Sequence, residues 1–363
     1  MLYRLFLKPL LFKIDPEVVH DRMIVFGEFL GRFSFTQKII RWFFYYENSI
    51  LTSEVCGLKF ENPVGLAAGF DKNVCLTQII PEVGFGFMEV GAVTHLPCAG
   101  NPGKHLVRLP QDHSLIVYYG LKNIGSEAVA KKLDKLNFTI PVGLNIAKTN
   151  SSEIKGEKSV EDYIQTYQLL AHRFSYATIN ISCPNAQDGC TFQDPELLEK
   201  LMLALSREPK SVPIFLKLSN HLTEKEVDEI LDIVEKFKII DGFVLSNLSK
   251  DRSSLNLKSS PNELNKLPAG GISGSPIRSK TNSLIKYIYK KTNGRYKIIG
   301  VGGIFTAEDA YEKIKAGASL VQIITGLIYN GPGAVKKINR GLVRLLRRDH
   351  YKNIEEAVGV EAH

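Results

Sequence analysis

The sequence predicts an α/β fold, a (β/α)8 TIM barrel with an N-terminal helical extension. Three observations predict it: a length of 363 residues, short apolar runs rich in β-branched residues, and charged helical stretches between those runs. From residue 63 onward, eight such runs alternate with helical stretches. Continuous apolar strands separated by helices are typical of a parallel sheet that is covered on both faces, and eight units fit a closed barrel.

The eight predicted strands share a continuous apolar character, and most of them end close to glycine or polar residues. They cover residues 63–69, 86–93, 142–147, 177–182, 213–219, 242–247, 297–303 and 319–325. The connections after the second and the sixth runs are long, so we expect extra loops or small strands there, near the active face. The stretch 250–275 is rich in Ser, Pro and Gly and predicts a mobile loop.

Residues 1–48 are predicted to form the N-terminal helical segment, and residues 49–363 the barrel. The segment is rich in Leu, Ile and Phe with interspersed basic residues, and Asp15-Pro16-Glu17 has the pattern of a helix start. Short amphipathic helices with a basic face suit a membrane surface, and a helical cap on the barrel is an equal alternative. No run reaches the roughly 20 apolar residues that a membrane-spanning helix needs.

Composition limits the possible functions. The net charge of +8 permits an anionic substrate, an anionic membrane surface or nucleic acid, and selects none of them. The five cysteines have no regular spacing, which argues against a disulfide framework and for a reducing compartment. None of their spacings matches a familiar zinc site, so we predict no metal.

The most informative strand tip lies at residues 179–185. Asn180, Cys183 and Asn185 surround the predicted end of the strand at Pro184, which has no N–H to continue a sheet. A barrel enzyme places its chemistry at such tips. A thiol between two amides can accept a proton while the amides hold a planar polar ligand. Taken alone, a small buried cysteine beside two turn-forming asparagines is the simpler interpretation.

The other tips supply small residues, amides and cations. Ala67-Ala68-Gly69 would let a flat ring approach the backbone, and Lys72 follows them. Lys217 lies within an apolar run, where an ammonium group is costly unless it meets a negative partner. Further polar residues at strand tips are Asn145, Ser246 and Asn247.

The last two strands predict a phosphate site. Gly302 and Gly303 follow strand seven, and Thr325 and Gly326 follow strand eight. Loops at these positions of such barrels commonly bind phosphate through backbone N–H groups and a helix N-terminus. The tips together describe a flat, phosphate-tailed, electron-accepting cofactor, which FMN fits. Lys217 would stabilise the negative charge that develops on the ring upon reduction.

At this point the chain resembles the dihydroorotate dehydrogenases, flavin enzymes that make orotate for pyrimidine biosynthesis. The resemblance covers residues 10–345 and rests on segments 65–72, 180–185, 270–274 and 300–304. The N-terminal helices, with the Asp-Pro-Glu start and His20, are similar to those of the membrane-associated, quinone-using class (class 2). In that class the helices form a tunnel that admits the quinone to the flavin. The resemblance therefore implies that residues 1–48 serve membrane association and form the quinone tunnel, and that residues 49–363 are the FMN-binding barrel.

The resemblance implies individual roles. Cys183 would remove a proton from dihydroorotate while a hydride passes to FMN, and Lys72 and Lys217 would complete the catalytic set. His20 would line the quinone tunnel. The implied substrate-binding residues are Lys72, Gly120, Leu121, Asn180, Asn185 and Asn247. The implied cofactor-binding residues are Ala67, Ala68, Gly69, Asp71, Ala92, Asn145, Asn180, Lys217, Ser246, Gly274, Gly302, Gly303, Thr325 and Gly326.

Four residues depart from the expected pattern. The quinone-using class carries serine as the base, and this chain has Cys183. Val117 stands where an asparagine would bind orotate, and a lost partner for a buried polar group costs about 1–3 kcal/mol. Ile324 stands where a tyrosine is expected near the flavin, and His105 stands near an expected arginine.

The leading hypothesis is oxidation of dihydroorotate, with the flavin reoxidised by a membrane quinone. The protein would then bind peripherally through its N-terminal helices, at the cytoplasmic face of the cell membrane in a bacterium. Val117 motivates an alternative, a flavin barrel acting on another dihydropyrimidine or on tRNA dihydrouridine. We expect no nucleic-acid partner, because no RNA-binding extension is visible in the sequence. An inactive membrane-bound scaffold is the second alternative.

Overall fold

The computed structural model of the chain describes residues 3–182, 192–265 and 267–362. The strands of these ranges, in chain order, are β1 (Ser53–Val55), β2 (Leu58–Phe60), β3 (Val64–Leu66), β4 (Phe87–Val93), β5 (Leu106–Leu109), β6 (Ser114–Val117), β7 (Val142–Ile146), β8 (Tyr176–Asn180), β9 (Ile214–Leu218), β10 (Gly242–Leu245), β11 (Gly271–Gly274), β12 (Lys297–Val301) and β13 (Leu320–Ile323). The α-helices are α1 (Lys8–Leu11), α2 (Pro16–Gly31), α3 (Ser34–Phe44), α4 (Ser126–Leu133), α5 (Glu157–Leu170), α6 (Pro195–Ser206), α7 (Glu224–Phe237), α8 (Pro261–Leu264), α9 (Arg278–Lys291), α10 (Ala307–Lys315), α11 (Thr325–Asn330) and α12 (Ala334–Arg348).

Eight parallel strands close into a barrel in the order β10-β12-β13-β3-β4-β7-β8-β9, with helices between strands, so the predicted fold is confirmed. Each of the eight apolar runs overlaps one barrel strand. Several strands stop before their runs do, because the last residues leave the ladder to face a cavity. At the most informative tip, β8 ends at Asn180, where the hydroxyl of Tyr163 donates to the Asn180 carbonyl at 2.7 Å.

Aromatic rings fill the barrel interior at the N-terminal ends of the strands. The β1–β2 hairpin inserts Phe60, whose ring centre lies 5.4 Å from that of Phe87 on β4. Gly65 on β3 is required there, because a Cβ at this position would overlap the Phe87 ring. This end is therefore filled, and the opposite, C-terminal end is left for a ligand.

The long connections carry small strands, one of the two alternatives expected there, and these strands form an antiparallel sheet. Strand β6 pairs with β5 on one side and with β11 on the other. The prediction of a loop over 250–275 is wrong at its C-terminal end, where β11 pairs with a strand far away in the sequence. The earlier part of this stretch is also bound down, since Asp112 accepts hydrogen bonds from the backbone N–H groups of Lys258 and Ser259.

The N-terminal segment consists of helices α1 to α3 after a short helical turn at Tyr3–Leu7. As predicted, α2 begins at Pro16, and the side chain of Asp15 caps it by accepting from the Glu17 N–H at 2.8 Å. Large apolar side chains along the segment are exposed, with Trp42 at 76%. Across the part of the chain that the structure describes, no helix is long and apolar enough to span a membrane.

Candidate active site

A cavity opens at the C-terminal ends of the barrel strands, under helix α2. The structure brings together there every predicted site residue that it describes except Asp71, and the individual roles of these residues stay predictions. Those that line the cavity are His20, Ala67, Ala68, Gly69, Lys72, Ala92, Gly120, Leu121, Asn145, Asn180, Lys217, Ser246, Asn247, Gly274, Gly302, Gly303, Thr325 and Gly326.

Cys183, Asn185 and Asp71 are not in this list. Cys183 and Asn185 lie outside the described residues, so their roles remain predictions from the sequence. Asp71 is fully buried, and its carboxylate accepts from the backbone N–H groups of Cys75 at 2.9 Å and Leu76 at 2.8 Å. The side chain of Asp71 thus shapes the loop that carries Lys72, instead of lining the cavity.

A chain of hydrogen bonds joins the predicted amides of β7, β8 and the end of β10. The Asn180 amide nitrogen donates to Asn145 Oδ1 at 3.0 Å, and Asn180 Oδ1 accepts from the Ser182 hydroxyl at 3.1 Å. The amide of Asn247 donates to the same hydroxyl oxygen at 3.1 Å. Because each amide has one donating and one accepting end, this chain orients all three asparagines at once.

Glu89, which sequence reasoning missed, anchors this series of hydrogen bonds inside the barrel. Glu89 is fully buried on β4, and its carboxylate accepts from the Asn145 amide at 2.7 Å. It also accepts from the hydroxyl of Thr178 at 3.2 Å and from the amide of Gln322 at 3.0 Å. An acid within the apolar run 86–93 was the available signal, of the same kind that singled out Lys217.

Two lysines from different parts of the barrel face the cavity. Lys217 is 5% exposed on β9 and lies in register with Asn180 on β8. Lys72 follows β3, and burial lowers the pKa of its ammonium group to about 8, against the opposing effect of the Asp21 carboxylate. Two ammonium groups at one rim suit a ligand that carries or develops negative charge.

Glycines form a close backbone surface after β12 and β13. Gly302 and Gly303 have φ angles of 112° and 74°, which L side chains rarely adopt. A Cβ at Gly303 would overlap Arg278, and one at Gly326 would overlap the carbonyl of Ile304. This glycine surface fits the phosphate of FMN, and the small residues after β3 fit its ring. The buried Lys217 fits the negative charge that the ring gains on reduction.

The opposite side of the cavity is apolar and lies beneath α2. Leu106, Leu115 and Ile328 line it, together with Ile324. His20 Nε2 donates to the backbone carbonyl of Phe70 at 2.9 Å. Burial lowers the pKa of His20, and the contact of Nδ1 with the Asp21 carboxylate at 3.0 Å opposes that shift.

Val117 and His105, two of the departures from the expected pattern, also have defined positions. Val117 lines the cavity at the end of β6, where its side chain offers no hydrogen bond to a polar ligand. His105 Nδ1 lies 2.6 Å from the Glu17 carboxylate on α2. His105 thus ties the N-terminal segment to the rim of the barrel.

Comparison with known proteins gives one consistent result. The sequence profile of the family "Dihydroorotate dehydrogenase" matches residues 50–346. A protein of Trichodesmium erythraeum named dihydroorotate dehydrogenase (quinone) is 36% identical over 375 residues, covering 99% of this chain and 98% of that protein. One of the same name from Christiangramia forsetii is 38% identical over 346 residues, covering 94% and 99%. The crystal structure of DHODH from Eimeria tenella in complex with ferulenol superposes with a TM-score of 0.83 at 28% identity, covering 96% of each chain.

Proposed function

The chain belongs to the dihydroorotate dehydrogenase family, and from this premise we propose that it oxidises dihydroorotate to orotate in pyrimidine biosynthesis. FMN would take the hydride, and a quinone would reoxidise the reduced flavin. The observation that carries the proposal is the convergence of Lys72, Lys217 and the asparagine chain on one cavity. Removing one proton and one hydride from adjacent carbons leaves the double bond of orotate.

The residues of this chain divide between cofactor and substrate. Gly302, Gly303, Thr325 and Gly326 would hold the phosphate through backbone N–H groups, and the residues after β3 would support the ring. FMN, when bound, supplies the electron-accepting ring. The ammonium of Lys217 would stabilise negative charge on that ring, where burial strengthens the electrostatic effect.

On the substrate side, Lys72 would donate to the carboxylate of dihydroorotate. Asn180 and Asn247 would hold the ring amides, and the hydrogen-bond chain from Glu89 keeps them oriented before the substrate binds. Such preorganisation avoids reorienting polar groups during the reaction. Cys183 would remove the proton, and a thiol that titrates at about 8.5 when unperturbed needs little tuning for this role.

We also propose that the N-terminal segment attaches the protein peripherally to a membrane and admits the quinone. Its exposed apolar side chains include Phe35 at 72% and Trp42 at 76%, and basic residues lie among them. The apolar side of the cavity lies beneath α2, with His20 at its rim. In a bacterium the corresponding location is the cytoplasmic face of the cell membrane.

Val117 supports a second candidate, oxidation of another dihydropyrimidine in the same cavity. A valine at the wall cannot hydrogen-bond a polar ring, whereas it can contact an apolar substituent. Relative rates with dihydroorotate and with dihydrouracil distinguish the two candidates. Faster flavin reduction by dihydrouracil favours the second.

The test of the proposed function is a steady-state assay with purified protein, dihydroorotate and one acceptor at a time. FMN should be the flavin released on denaturation. A soluble ubiquinone analogue should sustain turnover, and fumarate or NAD should sustain far less. Equal turnover with fumarate or NAD contradicts the quinone assignment, and protein that cannot be loaded with FMN contradicts the cofactor.

A further inference from the structure

The ammonium group of Lys72 rests on an aromatic ring. Its Nζ lies 3.7 Å from the ring centre of Tyr119, which is within the range of a cation–π contact. No carboxylate of the described residues forms an ion pair with Lys72, although the charge of Asp21 acts on it from a distance. An ammonium group carries three N–H donors, so contact with a ring leaves it able to bind a carboxylate.

The same ring stacks on an imidazole that is held by helix α2. The ring centres of Tyr119 and His105 lie 5.3 Å apart, and the planes differ by 16°. His105 Nδ1 contacts the Glu17 carboxylate at 2.6 Å, and Nε2 contacts the Asn101 carbonyl at 2.5 Å. Each nitrogen of the imidazole therefore faces an oxygen atom that can accept a hydrogen bond. A continuous series of contacts therefore runs from α2 to Lys72.

The hydroxyl of Tyr119 takes no part in this series. It is buried and has no hydrogen-bond partner among the described residues, and Tyr119 is 9% exposed. Removing an unsatisfied buried hydroxyl costs little or nothing. The contribution of Tyr119 to Lys72 must therefore come from its ring.

We propose that Tyr119 is a positioning residue for Lys72, and that Glu17 and His105 hold its ring in place. The N-terminal segment then contributes directly to the affinity for the substrate carboxylate, in addition to any role toward a membrane. The proposal rests on the proposed function, in which Lys72 binds that carboxylate. A second tie from α2, the His20 contact with Phe70, holds the backbone two residues before Lys72.

The test compares orotate with methyl orotate, in which the carboxylate is replaced by a neutral ester. Dissociation constants are measured on the FMN-loaded protein from the change in flavin absorbance on titration. Tyr119→Leu should raise the orotate Kd about 10-fold, as expected from removing a desolvated cation–π contact. It should leave the methyl orotate Kd within about twofold, because the neutral ester does not depend on the charge of Lys72. A general loss of structure would instead weaken the binding of both ligands.

Three further variants complete the design. Tyr119→Phe keeps the ring and should recover most of the orotate affinity. Glu17→Gln should raise the orotate Kd about threefold. Lys104→Gln is the matched control, because it removes the neighbouring ion pair between Asp15 and Lys104, which does not contact the Tyr119 ring. This variant should leave the orotate Kd unchanged.

The outcomes separate this proposal from the proposed function. If the wild-type protein binds no orotate, that result contradicts the proposed function. If the wild type binds orotate, then equal losses for orotate and methyl orotate in Tyr119→Leu overturn the positioning role. An orotate Kd in Glu17→Gln that equals that of Lys104→Gln overturns the part assigned to α2.

Discussion

The carboxylate of Glu89 accepts a 2.7 Å hydrogen bond from the amide of Asn145 inside the barrel. This contact fixes the donating end of Asn145, so that its oxygen is left to accept from Asn180. One buried acid thereby sets the orientation of the amides that face the cavity. The site is built from the barrel interior outward, and its precision depends on a residue that does not line the cavity.

Glu89→Gln should destabilise the FMN-loaded protein by about 3 kcal/mol, because one carboxylate oxygen becomes an N–H2 group facing donors. Urea unfolding measures the loss. Glu229→Gln is the control, since its exposed pair with Lys225 on one helix is worth about 0.5 kcal/mol or less. Equal unfolding free energies for the two variants would contradict the role given to Glu89.

Orotate affinity should fall as the pH rises above about 8. Burial is the main cause that lowers the pKa of Lys72 to about 8, so the free protein loses this positive charge above that pH. The orotate Kd should rise up to tenfold per pH unit there, and stay level between pH 6 and 7.5. Lys72→Met should bind orotate weakly with no such rise. A wild-type Kd that is flat to pH 9 would exclude Lys72 as the carboxylate partner.

Cys183→Ser should retain bound FMN and change its pH–rate profile. A thiolate is the active form of a cysteine base, so the rate of flavin reduction by dihydroorotate should increase with pH as the thiol ionises. Serine has no comparable titration, and the variant should lose that increase. Anaerobic stopped-flow absorbance measures both profiles. Identical profiles in shape would rule out Cys183 as the base.

Membrane attachment should depend on the exposed rings of α3. The double variant Phe35→Glu, Trp42→Glu replaces two exposed apolar side chains by charges and should reduce binding to anionic vesicles at least 10-fold. Co-sedimentation with the vesicles measures it. Leu203→Glu is the control, because Leu203 is an exposed apolar residue on α6 of the barrel. Equal binding of both variants would place the membrane contact elsewhere.

The barrel was predictable because its strands are continuous apolar runs, which can be recognised without knowing their distant partners. The cavity residues followed from the barrel, since the tips of parallel strands meet at one end. The position and pairing of strand β11 were not predictable, because its partner β6 lies far away in the sequence and its own residues have the composition of a loop.

The supporting residues of the site were harder to predict than the lining residues. Glu89 could have been found from its charge within an apolar run. The contacts of Glu17 and His105 with the site depend on how α2 docks on the barrel, and no local pattern reports that. Tyr119 is one of many aromatics in the chain, and only coordinates show its ring beneath Lys72.

The most direct test of the account is an anaerobic titration of the FMN-loaded protein with dihydroorotate, followed by a soluble quinone. The visible flavin absorbance should disappear with about one equivalent of dihydroorotate and return when the quinone is added. Absorbance that persists at saturating dihydroorotate would contradict the proposed oxidation of dihydroorotate, because the cavity would then hold a flavin that this substrate does not reduce.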